Sequence, residues 1–100
     1  MAAYSLSGKA SSDLDSIYEF TILNFGLEQA QDYLLGLHER FQLLADNPGV
    51  GRSAESLAPE LRRHEHQSHV VFYIPKEKGV LIVRVLHMRM DAKRRFREDS

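Results

Sequence analysis

The sequence predicts an α+β fold, in which an N-terminal helical hairpin packs on one face of a small antiparallel sheet and a short helix ends the chain. In the first half, apolar residues recur every three or four positions, which is typical of amphipathic helices. In the second half, runs rich in valine, isoleucine and leucine alternate with turn residues, which indicates strands. One hundred residues suit one domain, spanning 1–100.

Two helices are expected in the first half. Ser7 can cap the first helix, because its hydroxyl can accept from a free amide of the first turn. Gly26 ends that helix and Pro48 ends the second, since proline excludes the helical conformation from the residue before it. The apolar stripes expected to form the core are Ala10, Leu14, Ile17, Tyr18, Thr21 and Phe25 on the first helix, and Ala30, Tyr33, Leu34, Leu37, Phe41 and Leu44 on the second.

Strands are expected at about 61–66, 69–74 and 80–87, with short connections that favour an antiparallel meander. Pro75 is expected to end the middle strand. Residues 3–6 form a candidate edge strand, and residues 51–59 are read as a loop. Asp91 can cap a terminal helix over 92–97.

The central strands are apolar on both faces. Alternation places Val70, Phe72 and Ile74 opposite Val71 and Tyr73, and it places Val80, Ile82, Arg84 and Leu86 opposite Leu81, Val83, Val85 and His87. One helical hairpin covers one face, so the second face requires another cover. We expect a partner chain there, since a large exposed apolar patch usually marks an interaction site. The alternative is that the last helix folds back and covers it with Phe96.

Charge and composition limit the function classes. The net charge is −1, but residues 1–50 carry seven acidic and two basic residues, whereas residues 51–100 carry seven acidic and eleven basic residues. A near-neutral total disfavours binding nucleic acid through many phosphates. The basic half favours an acidic protein partner. Without cysteine, a secretory signal or an apolar run of the roughly 20 residues that cross a bilayer, a cytoplasmic location is the default expectation.

Four segments in order resemble ParE-type toxins of the RelE/ParE superfamily. Residues 72–73 (FY) and 84–91 (RVLHMRMD) match the C-terminal signature of that family. Residues 7–14 (SGKASSDL), 25–30 (FGLEQA) and 43–52 (LLADNPGVGR) match its earlier segments, with Phe25 where tryptophan is commoner. The resemblance covers nearly the whole chain and depends on the order and spacing of the segments.

The resemblance implies the toxin of a type II toxin–antitoxin pair, which inhibits DNA gyrase by binding and is neutralised by a ParD-like antitoxin with a helical C-terminal segment. The predicted antitoxin contacts are Val71, Tyr73, Arg84, Leu86 and Phe96. The predicted target contacts are Arg89, Met90, Lys93, Arg94 and Arg95, where methionine beside charge suits an interface. No cofactor and no membrane partner is expected.

Two alternatives stay open, a ribosome-dependent ribonuclease of the RelE type and a non-toxic protein-interaction module. A ribonuclease would use Arg62, or its neighbour Arg63, with Arg84 and His87, but Met88 carries no transferable proton and no tyrosine follows Tyr73. Non-catalytic inhibition is therefore favoured. His64, His66 and His69 form a candidate metal site, which is disfavoured because no further ligand completes the set.

Overall fold

The computed structural model describes residues 2–99, which form one five-stranded sheet, three helices and a 3-10 turn. The strands are β1 (Ala3–Leu6), β2 (Arg52–Ser53), β3 (Arg62–His66), β4 (His69–Lys76) and β5 (Gly79–His87). The helices are α1 (Gly8–Phe25), α2 (Leu27–Asp46) and α3 (Ala92–Asp99), with a 3-10 turn at Pro48–Val50. The predicted α+β architecture with a helical hairpin and a short C-terminal helix is confirmed.

The sheet is mixed, whereas an antiparallel sheet was predicted. Its strand order is β1-β5-β4-β3-β2, and β1 pairs parallel with β5 while all other pairs are antiparallel. The expected edge strand at residues 3–6 is confirmed. The short strand β2 was missed, because only its pairing with β3 distinguishes it from a loop.

The helix boundaries follow local signals. The Ser7 hydroxyl accepts from the Ala10 amide at 3.0 Å and donates to the Val83 carbonyl at 2.7 Å, so the predicted cap also joins α1 to the sheet. Gly26 separates α1 from α2 with φ of +92°, a conformation that glycine adopts without steric cost. The Asp91 carboxylate accepts from the Arg94 amide at 3.2 Å, which confirms the predicted cap of α3.

Two predictions about the central strands are wrong. Pro75 lies inside β4 rather than ending it, and it pairs with Val80. Strand β3 begins at Arg62, which pairs with Tyr73, so it does not extend alongside Pro75. At Pro75 β4 is therefore an edge strand, where proline is tolerated. A bulge in β5 makes Arg84 pair with Phe72 and Ile82 pair with Tyr73, which shifts the side-chain alternation after Ile82.

The bulge changes which β5 residues share a face. Val80, Ile82 and Val85 join the core beneath α1 and α2, together with Leu37 and Phe41. Leu86 instead belongs to the core on the other face. The predicted grouping of Val80 and Ile82 with Leu86 is therefore wrong. It assumed that side chains alternate strictly every two residues, and such a period cannot predict a bulge in the pairing.

The second face of the sheet is covered by the chain itself, so the expected partner cover is wrong. Val70, Phe72 and Leu86 pack against Phe96 of α3 and against Ala54 and Leu61. Phe72 is only 1% exposed, and its ring meets the Phe96 ring edge to face at 5.0 Å between centroids. The segment between β2 and β3 supplies Leu57 and Ala58 to the same cover, and this contribution was not anticipated.

Candidate functional site: the α1–β5 groove and the basic exit

An open groove of about 670 Å³ lies between α1 and the end of β5, and we call it the α1–β5 groove. One wall is a stripe of α1 that includes Ile17, Phe20 and Phe25. The other wall comes from the β4–β5 pair and the segment after it, through His69, His87, Met90 and Arg95, and Tyr33 of α2 lies between the walls.

The helical hairpin leaves aromatic surface at the groove. Phe20 is 62% exposed and Phe25 is 60% exposed. Phe25 was predicted to belong to the core stripe, and that prediction is wrong. Residues 23–25, which form the last turn of α1, are all exposed, so the apolar stripe continues past the part of the helix that is buried. Soluble proteins seldom leave neighbouring large aromatic side chains exposed without a functional reason.

A tyrosine and two histidines meet at the groove. The Tyr33 hydroxyl and His69 Nδ1 share a hydrogen bond of 2.5 Å, and the His69 and His87 rings meet edge to face at 5.3 Å between centroids. Burial, followed by repulsion from His87 and His66, lowers the pKa of His69 to about 4. Burial raises the pKa of Tyr33. At neutral pH both groups are therefore uncharged.

Arg84 is held in an ion-pair network at the same groove. Its Nε and Nη2 donate to the two carboxylate oxygens of Asp13 at 2.8 and 2.9 Å, and its Nη1 donates to Asp99 at 2.7 Å. The hydrogen bond to Asp13 is the largest of the contributions that raise the pKa of Arg84. Asp99 also accepts from Lys9 at 2.5 Å, so the network joins α1, β5 and α3.

The predicted ribonuclease residues do not converge. Arg62 donates to the carbonyls of Gly49 and Gly51 and lines a separate small cavity beside β2. Arg84 and His87 line the α1–β5 groove. Arg62 and Arg84 sit on β3 and β5 with β4 between them, so two strand spacings, about 10 Å, separate their backbones.

The residues predicted to contact the antitoxin lie below the surface. Val71 and Tyr73 have no exposed surface and lie in the core beneath the helices. Leu86 and Phe96 fill the second core, and Arg84 is held by its carboxylates. Their contact with an antitoxin stays a prediction, and this arrangement does not support it.

The five residues predicted to contact the target all lie on the surface. Arg89 and Met90 follow β5, and Lys93, Arg94 and Arg95 lie on α3; we call these five residues the basic exit. Across residues 2–99, the side chains of Arg89, Lys93 and Arg95 form no ion pair, while Arg94 lies 4.0 Å from Glu98. The basic exit therefore offers unneutralised positive charge beside the α1–β5 groove.

The three histidines of the candidate metal site lie on the paired strands β3 and β4, with His66 opposite His69. His64 and His66 lie on the face beneath α2, where a Cβ atom at position 36 would be 3.6 Å from His66 Nε2. Burial, followed by repulsion from Arg40, lowers the pKa of both rings. Within the described residues, no three or more metal-binding side chains are grouped suitably for an ion.

Comparison with known proteins identifies the family. Residues 4–92 match the family described as the ParE toxin of the type II toxin–antitoxin system parDE. The chain belongs to the ParE toxin family. Toxin ParE1 of Caulobacter vibrioides is 41% identical over 93 residues, which cover 93% of this chain and 96% of that protein. Toxin ParE1 of Mycobacterium tuberculosis is 37% identical over 91% of this chain and 94% of that protein.

A solved structure shares the fold of this ParE toxin. It is described as a chromosomal ParDE toxin–antitoxin system from P. aeruginosa, and it superposes with a TM-score of 0.72 at 27% identity, covering 87% of this chain and 96% of that one. The predicted family is confirmed, and the protein is a toxin of a type II toxin–antitoxin system. Among the described residues of this toxin, no helix combines the length and apolar character needed to cross a membrane.

The sequence reasoning missed the aromatic wall of the groove and the position of Tyr33. Phe25 and Tyr33 were assigned to apolar core stripes, and Phe20 was given no role. One signal was available, because Phe20, Leu23, Phe25 and Leu27 crowd around the Gly26 turn and exceed what one helix face can bury. Tyr33 lies 36 positions before His69 in the sequence, so no local pattern links the two residues.

Proposed function

We propose that this ParE toxin inhibits DNA gyrase by binding, without covalent chemistry of its own, and that a ParD-like antitoxin neutralises it. The observation that carries the proposal is the basic exit, whose residues are all exposed. Arg89, Lys93 and Arg95 have no ion pair within residues 2–99. Exposed cations beside Met90 suit an acidic protein surface, because they pay little desolvation cost before they find a partner.

The state of Arg84 supports binding rather than catalysis. A ribonuclease needs positive charge that is free to stabilise the developing phosphoryl charge. Two carboxylates already satisfy the Arg84 guanidinium, and a phosphate would be repelled by Asp13 and Asp99 at the same place. Arg62 is occupied by backbone carbonyls at the far side of β4.

The ribonuclease alternative has one observation in its favour. Tyr33, His69 and His87 meet in the α1–β5 groove and could in principle exchange protons. The pKa of His69 is about 4, however, which leaves this ring a weak base, and burial raises the pKa of the Tyr33 hydroxyl. This cluster is therefore poorly suited to acid–base work at neutral pH.

A supercoiling assay with purified gyrase tests the proposal. Wild-type toxin is expected to inhibit supercoiling, and the double variant Lys93→Glu with Arg95→Glu is expected to weaken inhibition at least about tenfold, because it reverses two unpaired charges. The matched control is Lys76→Glu, at the end of β4, where Lys76 pairs with Gly79 at the start of β5 and so lies at the opposite end of the hairpin from the basic exit. Equal inhibition by the double variant and the control would contradict the role of the basic exit.

A ribosomal mRNA-cleavage assay run in parallel separates the alternatives. Cleavage that depends on His87, without an effect on gyrase, would favour the ribonuclease. No effect in either assay, together with tight binding of an antitoxin, would favour a non-toxic interaction module.

A further inference from the structure

We infer that Asp99 is a positioning residue for the basic exit. Its carboxylate accepts hydrogen bonds from Arg84 and Lys9, and these contacts fix the orientation in which α3 presents the basic exit to the target. This inference rests on the proposed function, because it concerns the same target contacts. It gives the ion-pair network behind α3 a role in binding, in addition to its contribution to the stability of the fold.

Helix α3 has little stability of its own. Its eight residues span about 12 Å, whereas isolated helices shorter than roughly 12–15 residues are marginal in water. Its first turn contains no acidic residue and carries three cations of the basic exit, although the helix dipole favours anions there. The Asp91 cap and Arg97 in the last turn offset part of this cost. Contacts with the rest of the protein must therefore hold α3 in place.

Two anchors lie on one side of α3. Phe96 is 9% exposed, and its ring packs against Phe72 at 5.0 Å between centroids. Asp99 follows three residues later, so the two side chains share a face of the helix. At about 3.6 residues per turn, Lys93 and Arg95 lie on opposite flanks of that face. The Phe96 contact alone would let α3 roll, and the second anchor, about one turn away, fixes which way the two cations point.

Arg84 gives Asp99 a fixed partner. Asp13 holds the Arg84 guanidinium through hydrogen bonds of 2.8 and 2.9 Å, and Asp13 itself accepts from the Val85 amide at 2.9 Å. The remaining Nη1 of Arg84 donates to one carboxylate oxygen of Asp99 at 2.7 Å, and Lys9 donates to the other at 2.5 Å. Both oxygens are therefore held, one from β5 and one from α1.

The two hydrogen bonds to Asp99 involve charge on both sides. Burial opposes ionisation of this carboxyl, but the hydrogen bonds from Lys9 and Arg84 outweigh burial and lower the pKa of Asp99 below its ordinary value. Charge-assisted hydrogen bonds are stronger than neutral ones. A helix that they hold in one orientation before binding loses less conformational entropy when the target is bound.

Binding kinetics on immobilised gyrase test the inference with purified full-length toxin. Asp99→Ala is expected to raise the dissociation rate about fivefold, because a detached α3 releases its contacts more readily. It should leave the association rate and its salt dependence nearly unchanged, since the cations of the basic exit remain. Arg95→Glu should instead lower the association rate and flatten its salt dependence. General unfolding would reduce the amount of competent toxin without changing either rate constant.

Three further variants serve as controls. Glu98→Ala removes an exposed carboxylate from the same turn of α3 and should change dissociation less than about twofold. Asp99→Glu keeps the carboxylate and should return the dissociation rate to within about twofold of the wild type. Lys9→Met removes the more exposed of the two donors and should give a smaller increase than Asp99→Ala.

Hydrogen exchange of the free toxin tests the anchor without gyrase. Asp99→Ala is expected to make the α3 amides exchange about tenfold faster, because a charged hydrogen bond to the rest of the protein is lost. The amides of β4 and β5 should exchange as in the wild type, which also checks that the variant is folded.

The outcomes separate this inference from the proposed function. If Asp99→Ala and Glu98→Ala dissociate from gyrase at the same rate, Asp99 does not position the basic exit and the proposed function stands. Faster exchange of α3 with unchanged dissociation would overturn the inference as well, because the anchor would then have no effect on binding. If wild-type toxin neither binds nor inhibits gyrase, the proposed function fails and the inference fails with it.

Discussion

Replacing Arg84 by methionine should destabilise the toxin more than any loss of a surface ion pair. The Arg84 side chain is 10% exposed and makes two hydrogen bonds to Asp13 and one to Asp99. Methionine preserves most of the side-chain volume but removes the charge and the donors. Both carboxylates, which are 14% and 19% exposed, would then lose their main partner while remaining close to each other.

The structure indicates the size of the effect. Removing one member of a buried ion pair costs about 3–5 kcal/mol, because the remaining charge stays buried and uncompensated. The low end applies here, since Asp99 keeps Lys9 at 2.5 Å and Asp13 keeps the Val85 amide at 2.9 Å. We therefore expect Arg84→Met to lower the free energy of unfolding by about 3 kcal/mol.

Urea unfolding at pH 7 measures this change, with the m-value checking that the folded state stays equally compact. The matched control is Arg52→Met, which breaks an exposed pair with Glu65 at 2.7 Å and should cost less than about 1 kcal/mol. Equal losses in the two variants would refute the reasoning, because they would show that the Arg84 network is worth no more than a solvated pair.

Three further predictions concern the core and its pH dependence. Tyr73→Phe should lower the free energy of unfolding in urea by about 1–3 kcal/mol. The Tyr73 hydroxyl donates to the Pro48 carbonyl at 2.7 Å and accepts from the Gly51 amide at 2.8 Å, and both backbone groups would be left unpaired. An unchanged unfolding midpoint would contradict this prediction. Gly51→Ala should cost a similar amount, about 1–3 kcal/mol, since the added methyl group would press on the Tyr73 hydroxyl, and wild-type stability would show that the segment shifts freely. The pKa of His69, about 4, lies below its ordinary value of about 6.5. The stability that depends on a neutral His69 is therefore fully present above pH 6.5 and is lost as the pH falls towards 4. His69→Gln keeps an acceptor for Tyr33 and should make the loss of stability between pH 6.5 and 4 shallower than in the wild type, whereas parallel pH profiles would argue against a buried neutral His69.

Local signals in the sequence were sufficient for the helices and most strands. The Ser7 cap, the Gly26 break and the Asp91 cap depend on side chains within three residues of the groups they satisfy, and all three are confirmed. The β3–β4 and β4–β5 hairpins were predictable for the same reason, because their partners are adjacent in sequence.

The errors share a cause, which is dependence on distant pairing. The parallel pairing of β1 with β5 joins residues more than 70 positions apart. The bulge after Ile82 can be recognised only against the register of β4. Pro75 is tolerated because β3 is too short to reach it. None of these features changes the local pattern of apolar residues.

The same dependence explains why the predicted target contacts lie on the surface whereas the predicted antitoxin contacts are buried. Charged side chains such as Lys93 and Arg95 are exposed in almost any fold, so their position on the surface follows from their chemistry. An apolar side chain is exposed only where no other segment covers it. Phe72 is covered by α3, a helix that begins 20 residues further along the chain, whereas Phe20 stays 62% exposed. Exposed apolar surface on this fold therefore depends on where the covering segments end, and here large apolar side chains stay exposed at the α1–β5 groove.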